Sequence, residues 1–183
     1  MQVAAFCVVL DANALFPLHL RDTLLRCAEA GLIQIYWSAE ILGEVARNLP
    51  LRTNMSPAQA TTMVACMRAA FPEALVTNYE ALTAAMKNHE KDRHVAAVAV
   101  KIGAEVIVTA NLKDFMNLPD GLEAVAPDAF LLNLVDMYPA ELLTILHEQV
   151  GDYEREPLTV PALLDRLAKC APEFAGRARQ LLF

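Results

Sequence analysis

Several kinds of protein are excluded by what this sequence lacks. It has only four cysteines, Cys7, Cys27, Cys66 and Cys170, far apart and with no C-x-x-C pair among them. Disulfide frameworks and structural zinc sites need closer or paired spacings, so neither is expected. Each cysteine stands among apolar neighbours, which predicts reduced, buried thiols in a cytoplasmic protein. No run of about 18 apolar residues escapes a charge, so no membrane-spanning helix is expected. The most apolar early stretch, Met1 to Leu18, carries Asp11 in its middle and lacks a basic flank. A secretory signal is therefore not expected. No G-x-G-x-x-G follows the first apolar run, which disfavours a dinucleotide binder. Internal repeats and low-complexity tracts are absent from the sequence. Positive charge is scarce: 15 Lys and Arg stand against 22 Asp and Glu, for a net charge of −7. That balance counts against binding nucleic acid through bulk charge, which needs clustered Lys and Arg.

What is present suits a packed core. Hydrophobic residues make up 56% of 183, enough for one domain, or one domain with a helical appendage. Val3 to Leu10 is continuously apolar, as a strand buried on both faces of a parallel sheet would be. Pro17 opens a predicted helix ending near Gly31, and Leu32 to Trp37 reads as a second strand. Ser38 is a candidate N-cap for a helix from Ala39 to Asn48, before Pro50. Ser56-Pro57 opens another helix to about Phe71, and Ala74 to Thr77 reads as a short strand. Asp92 opens a helix stopped by Gly103, and Glu105 to Thr109 is a further strand. Strands alternating with helices in this way imply a parallel α/β sheet flanked by helices. Beyond Pro119 the pattern changes to four amphipathic helices, Asp128 to Tyr138, Ala140 to Tyr153, Val160 to Lys169 and Glu173 to Leu182.

Function in an open parallel sheet collects at the carboxyl edge of the strands. Asp11 directly follows the first strand, and Asp114 follows Glu105–Thr109 by a short turn. A helix that leads into a parallel strand starts at the same edge, which places Asp92 there, where the helix dipole favours a negative side chain. Glu44 lies in the helix after the second strand, with Glu40, one turn earlier, as a rival. Two unit charges ~4 Å apart repel by about 4 kcal/mol at an effective dielectric of 20, so such a cluster needs a counter-charge. Hard oxygen donors select Mg2+ or Mn2+, and a cation on carboxylates suits phosphodiester hydrolysis. Taken singly, each of these residues also reads as a cap, a turn residue or a solvated charge. His94 reads mainly as a capping or surface histidine.

At these residues the sequence resembles the PIN-domain family, especially the VapC-like toxins of prokaryotic toxin–antitoxin pairs. Four segments carry the likeness: Val8-Val9-Leu10-Asp11-Ala12-Asn13; Ser38 through Glu44 to Val45; Lys91-Asp92-Arg93-His94 with the alanine-rich helix behind it; and Ile107-Val108-Thr109-Ala110-Asn111-Leu112-Lys113-Asp114-Phe115. The resemblance implies a metal-dependent endoribonuclease with Asp11, Glu44, Asp92 and Asp114 as the acidic ligands of Mg2+ or Mn2+. It also implies a homodimer and inhibition by a small antitoxin protein. Asn13, Thr109 and Asn111 match positions that support the acidic cluster by hydrogen bonding, with Ser38 a further candidate. Arg21, Lys91, Arg93 and Lys113 lie near the motif edges and are weak candidates for RNA phosphate contacts. The resemblance spans roughly residues 3 to 118; with the change of pattern near Pro127 it divides the chain into residues 1–126, a PIN domain, and 127–183, helices that resemble a C-terminal extension of some VapC-like proteins and whose role the sequence does not reveal. The alternatives are a non-catalytic PIN-fold module that binds RNA or protein, and an acidic-edge α/β phosphatase. For the latter, Asn13 stands where a second Asp is wanted.

Overall fold

Short runs of Val and Ile build a five-stranded sheet in the computed structural model, which describes residues 6–153 and 157–182. The strands are β1 (Phe6–Leu10), β2 (Ile33–Ser38), β3 (Leu75–Val76), β4 (Val106–Val108) and β5 (Glu123–Val125), in the order β3-β2-β1-β4-β5. The β1–β4, β2–β3 and β4–β5 pairings are parallel, with Val8 opposite Val106 and Leu10 opposite Val108. Val8, Val9, Leu10, Ile107 and Val108 are fully buried, as continuous apolar strands of a parallel sheet require. The predicted residues Val3 to Ala5 of the first strand lie outside the described residues.

The strand order places the site. The chain runs outward from β1 through β2 to β3, then returns to set β4 on the other side of β1. The connections therefore diverge between β1 and β4, which is where open α/β sheets form their ligand crevices. The backbone N–H of Asp11 donates to the carbonyl of Val108 at 3.1 Å, which brings the ends of β1 and β4 side by side.

Between the strands lie α1 (Leu18–Glu29), α2 (Ala39–Arg52), α3 (Pro57–Ala70), the single turn α4 (Glu80–Thr83) and α5 (Arg93–Ile102). Ser38 caps α2 through its Oγ, which accepts from Ile41 N at 3.2 Å. Ser56 and Gln59 form a reciprocal capping box at the start of α3, which satisfies two otherwise orphaned N–H groups. Gly103 ends α5 in the left-handed region, at φ 67°, a conformation natural to glycine.

Two expectations need correction. The helix after β2 does not stop before Pro50 but carries it inside and continues to Arg52. The short strand β5 and the turn α4 were not foreseen. Of the cysteines, Cys27 is buried, Cys7 and Cys170 are half-buried, and Cys66 on α3 is exposed, and none of the four forms a disulfide among the described residues.

Chain contacts divide the molecule into two compact units. One comprises residues 7–16 and 34–125 and contains most of the sheet with α2 to α5. The other comprises residues 1–6, 17–33 and 126–183. In it α1 packs with α7 (Pro139–Gly151) and α8 (Val160–Leu167), and α6 (Pro127–Met137) packs with α9 (Pro172–Gln180). Gln149, fully buried, accepts from Thr23 Oγ1 at 2.9 Å and donates to the His19 carbonyl at 3.2 Å. Asp128 caps α9 by accepting from the backbone N–H of Phe174 at 2.9 Å. Among the described residues no single helix is long and apolar enough to cross a membrane.

Candidate metal centre

The carboxylate of Asp11 leaves the end of β1 into a nearly closed setting, 3% exposed. Its Oδ1 accepts from Ala12 N at 2.7 Å, and its Oδ2 accepts from Thr109 Oγ1 at 2.8 Å and from Asn13 Nδ2 at 2.5 Å. Asn13 Oδ1 in turn accepts from Ala110 N at 2.7 Å, and Thr109 Oγ accepts from Asn111 N at 3.1 Å. The turn after β4 is thus folded around the acid at the end of β1. Burial nevertheless pushes the Asp11 carboxyl up from 3.8 to about 6; Thr109 and Ala12 pull it down, while the charges of Asp92 and Glu44 add to the rise. Keeping it ionised at neutral pH costs the cation-free protein on the order of 3 kcal/mol.

Asp92 precedes α5 and does not cap it with its side chain. Its carboxyl is also raised, first by burial and then by the charges of Asp114 and Glu44, with His94 and His89 opposing. Asp114 accepts from Asn111 Nδ2 at its Oδ2. Its backbone carbonyl accepts from His89 N at 2.9 Å, so the loop leading to Asp92 is tied to the turn that carries Asp114. Donor atoms of His89, Asp92 and Asp114 lie within 4.8 Å of one another.

Asp11, Glu44 and Asp92 line one pocket of about 330 Å3, together with Asn13, Asn48, Asn111, Phe16 and Arg52. Glu44 rather than Glu40 faces it; Glu40 accepts from the Tyr79 hydroxyl at 3.2 Å. Asp114 stands with Asp92 and His89 rather than on the pocket wall. The donors are carboxylate oxygens plus one imidazole, a set that fits a hard divalent cation, with the nitrogen favouring Mn2+ over Mg2+.

His94 is buried, 5% exposed, and is neither the cap nor the surface residue that the sequence suggested. Its Nε2 lies 3.2 Å from Glu44 Oε1 and its Nδ1 lies 3.7 Å from Glu40 Oε2. Neither nitrogen has an aligned hydrogen-bond partner among the described residues, so the contacts act as ion pairs. Burial alone would lower its pKa, but the Glu44 contact and the charges of Glu40, Glu44 and Asp11 outweigh it and raise the value above 6.5. These contacts favour the protonated ring beside Glu44 and Glu40.

The remaining candidates are more scattered. Asn13, Thr109 and Asn111 touch Asp11 or Asp114 as described. Ser38 is fully buried and its Oγ serves the α2 N-terminus. Lys91 and Lys113 are exposed, and Arg93 donates through Nε to the Asn88 carbonyl at 3.3 Å; none of the three lines the pocket. Arg21 departs from expectation: it is 6% exposed, in the unit formed by α1 and the C-terminal helices, with Asp22 and Tyr153 as its charge partners. A guanidinium so enclosed is not presented to a phosphate. His89 and Arg52 were missed. His89 could have been found from its place three residues before Asp92. Arg52 was hidden by the assumption that Pro50 ends the helix.

The family model described as PIN domain matches residues 7–113, more than half of the chain, and the model described as VapC50 C-terminal domain matches residues 127–180. A Mycobacterium tuberculosis H37Rv protein named "Putative ribonuclease VapC50" is 44% identical over 111 residues, covering 59% of this chain and 66% of that relative. The chain therefore matches slightly less than two thirds of that relative's length. No solved structure matches.

Proposed function

This chain belongs to the PIN-domain family, and from that premise we propose that it is a Mg2+- or Mn2+-dependent endoribonuclease, the toxin of a type II toxin–antitoxin pair. The observation that carries the reading is the convergence of Asp11, Glu44 and Asp92 on one pocket, with Asp114 and His89 beside Asp92. The relative's name, with its word ribonuclease, points the same way. The proposal includes a small antitoxin as partner and a homodimer as working form.

Asp11, Glu44, Asp92 and Asp114 are the residues that would hold the cation, with His89 adding a nitrogen donor. When bound, the ion would lower the pKa of an attacking water and stabilise charge on the departing oxygen. The chain's own groups prepare that chemistry. Thr109 and Asn13 hold Oδ2 of Asp11 and the Ala12 N–H holds Oδ1, and Asn111 holds Oδ2 of Asp114, so the ligands need little reorganisation. When protonated, His94 offsets part of the charge of Glu44 and Glu40, which lowers the repulsion a phosphate meets on entering an acidic pocket.

The test is cleavage of a single-stranded RNA by the purified chain with Mg2+, with Mn2+ and with EDTA. Cleavage that needs the ion and falls at least a hundredfold in Asp11→Asn and Asp92→Asn is expected, since these variants remove charge from the ion's ligands. Equal cutting by parent and variants would remove the catalytic assignment. If no divalent ion alters activity or melting temperature, a non-catalytic binding module replaces it.

A further inference from the structure

The pocket carries three carboxylates and one cation. Arg52 is that cation, on the last turn of α2. Glu44, Asn48 and Arg52 are spaced four residues apart, so they share one helix face, and all three line the pocket. Arg52 lies about 12 Å along the axis from Glu44 at ~1.5 Å per residue. Its guanidinium carbon sits 4.7 Å from the centre of the Phe16 ring, itself part of the pocket wall. A guanidinium stacked on a ring keeps its in-plane N–H edge available. Three other arginines are spent on protein carboxylates: Arg26 on Asp22 and Asp152, Arg177 on Asp136, and Arg179 on Asp165. Among the described residues Arg52 has no ion pair.

We propose that Arg52, held by Phe16, binds a backbone phosphate of RNA that flanks the bond placed at the acidic cluster. The inference rests on the ribonuclease reading and adds to it the residue that draws an anionic strand into a negatively charged pocket. Guanidinium matches phosphate bidentately, and among the described residues that line the pocket no other is a lysine or arginine. Because the contact is to the backbone, it positions the strand and carries no sequence preference.

The experiment measures binding of a fluorescein-labelled single-stranded RNA to the full chain in Ca2+ across a salt series, by anisotropy, alongside Mn2+ affinity by calorimetry. In Arg52→Gln the RNA affinity is expected to fall roughly tenfold or more. The slope of log affinity against log salt should flatten by about 0.7, the amount for one lost contact on a single strand. Arg52→Lys should keep the slope and lose part of the affinity, and Phe16→Leu should weaken binding about two- to fivefold. Mn2+ affinity should stay within about twofold in all three, since Arg52 donates nothing to the ion. An unchanged salt slope in Arg52→Gln, with the parent binding RNA, overturns the proposal and leaves the ribonuclease reading standing. A parent that binds no RNA overturns both. A change in melting temperature without a change in slope assigns Arg52 to helix packing and overturns it too.

Discussion

Asp11 accepts three hydrogen bonds and still titrates near 6, because it is enclosed and faces two other acids. The sign of this shift fixes a pH dependence. Its folded pKa is above its unfolded one, so the cation-free protein loses stability as pH rises from 3.8 to about 6. His94 is raised as well; the stability it contributes is complete below 6.5 and is lost as pH rises through its folded pKa. Both act in one direction, so in EDTA the melting temperature should fall between pH 5 and 7.5. Mn2+ should reverse this, raising the melting temperature more at pH 7.5 than at pH 5, where a proton competes for Asp11. Scanning calorimetry at the two pH values checks it; equal rises would contradict the assignment of Asp11. His89 supports a second prediction at this scale. Pulsed electron spin resonance of the Mn2+-loaded chain should show a nitrogen coupling that His89→Gln abolishes, and a coupling that survives would assign the nitrogen elsewhere.

At the scale of elements, the parallel sheet and its helices were legible because Val-rich runs, caps and the Gly103 stop are local signals. The acids at the ends of β1 and β4 followed from those elements. Three features were not local. β5 has three residues and reads as a strand only once β4 offers its edge. Pro50 is tolerated inside α2 because the packing of α2 against α3 holds the helix past it. His94 was read as a surface residue because the two glutamates that surround it lie some 50 residues away in sequence. One element-level prediction concerns Gly103, whose φ of 67° suits glycine. Gly103→Ala should cost about 1 kcal/mol in chemical denaturation, and no loss would mean the α5 end relaxes without cost.

At the scale of the whole chain, one family model ends at residue 113 and a second begins at Pro127, while α1 clusters with the helices beyond it. Leu20, Leu24 and Cys27 of α1 are buried in a unit completed by Leu142, Leu146, Leu163 and Leu164. Deleting residues 128–183 should strip α1 of these partners and expose apolar surface, so the truncated chain should aggregate in size-exclusion chromatography. A soluble, cooperatively melting truncation would show that α1 does not need them.

Diffraction from crystals soaked in Mn2+, recorded at the manganese edge, tests the acidic cluster itself most directly. An anomalous peak is expected in the pocket, within ~2.0–2.6 Å of carboxylate oxygens that include Asp11 and Asp92. A saturating soak that leaves that pocket without a peak, or a peak held by none of Asp11, Glu44, Asp92 and Asp114, would contradict it.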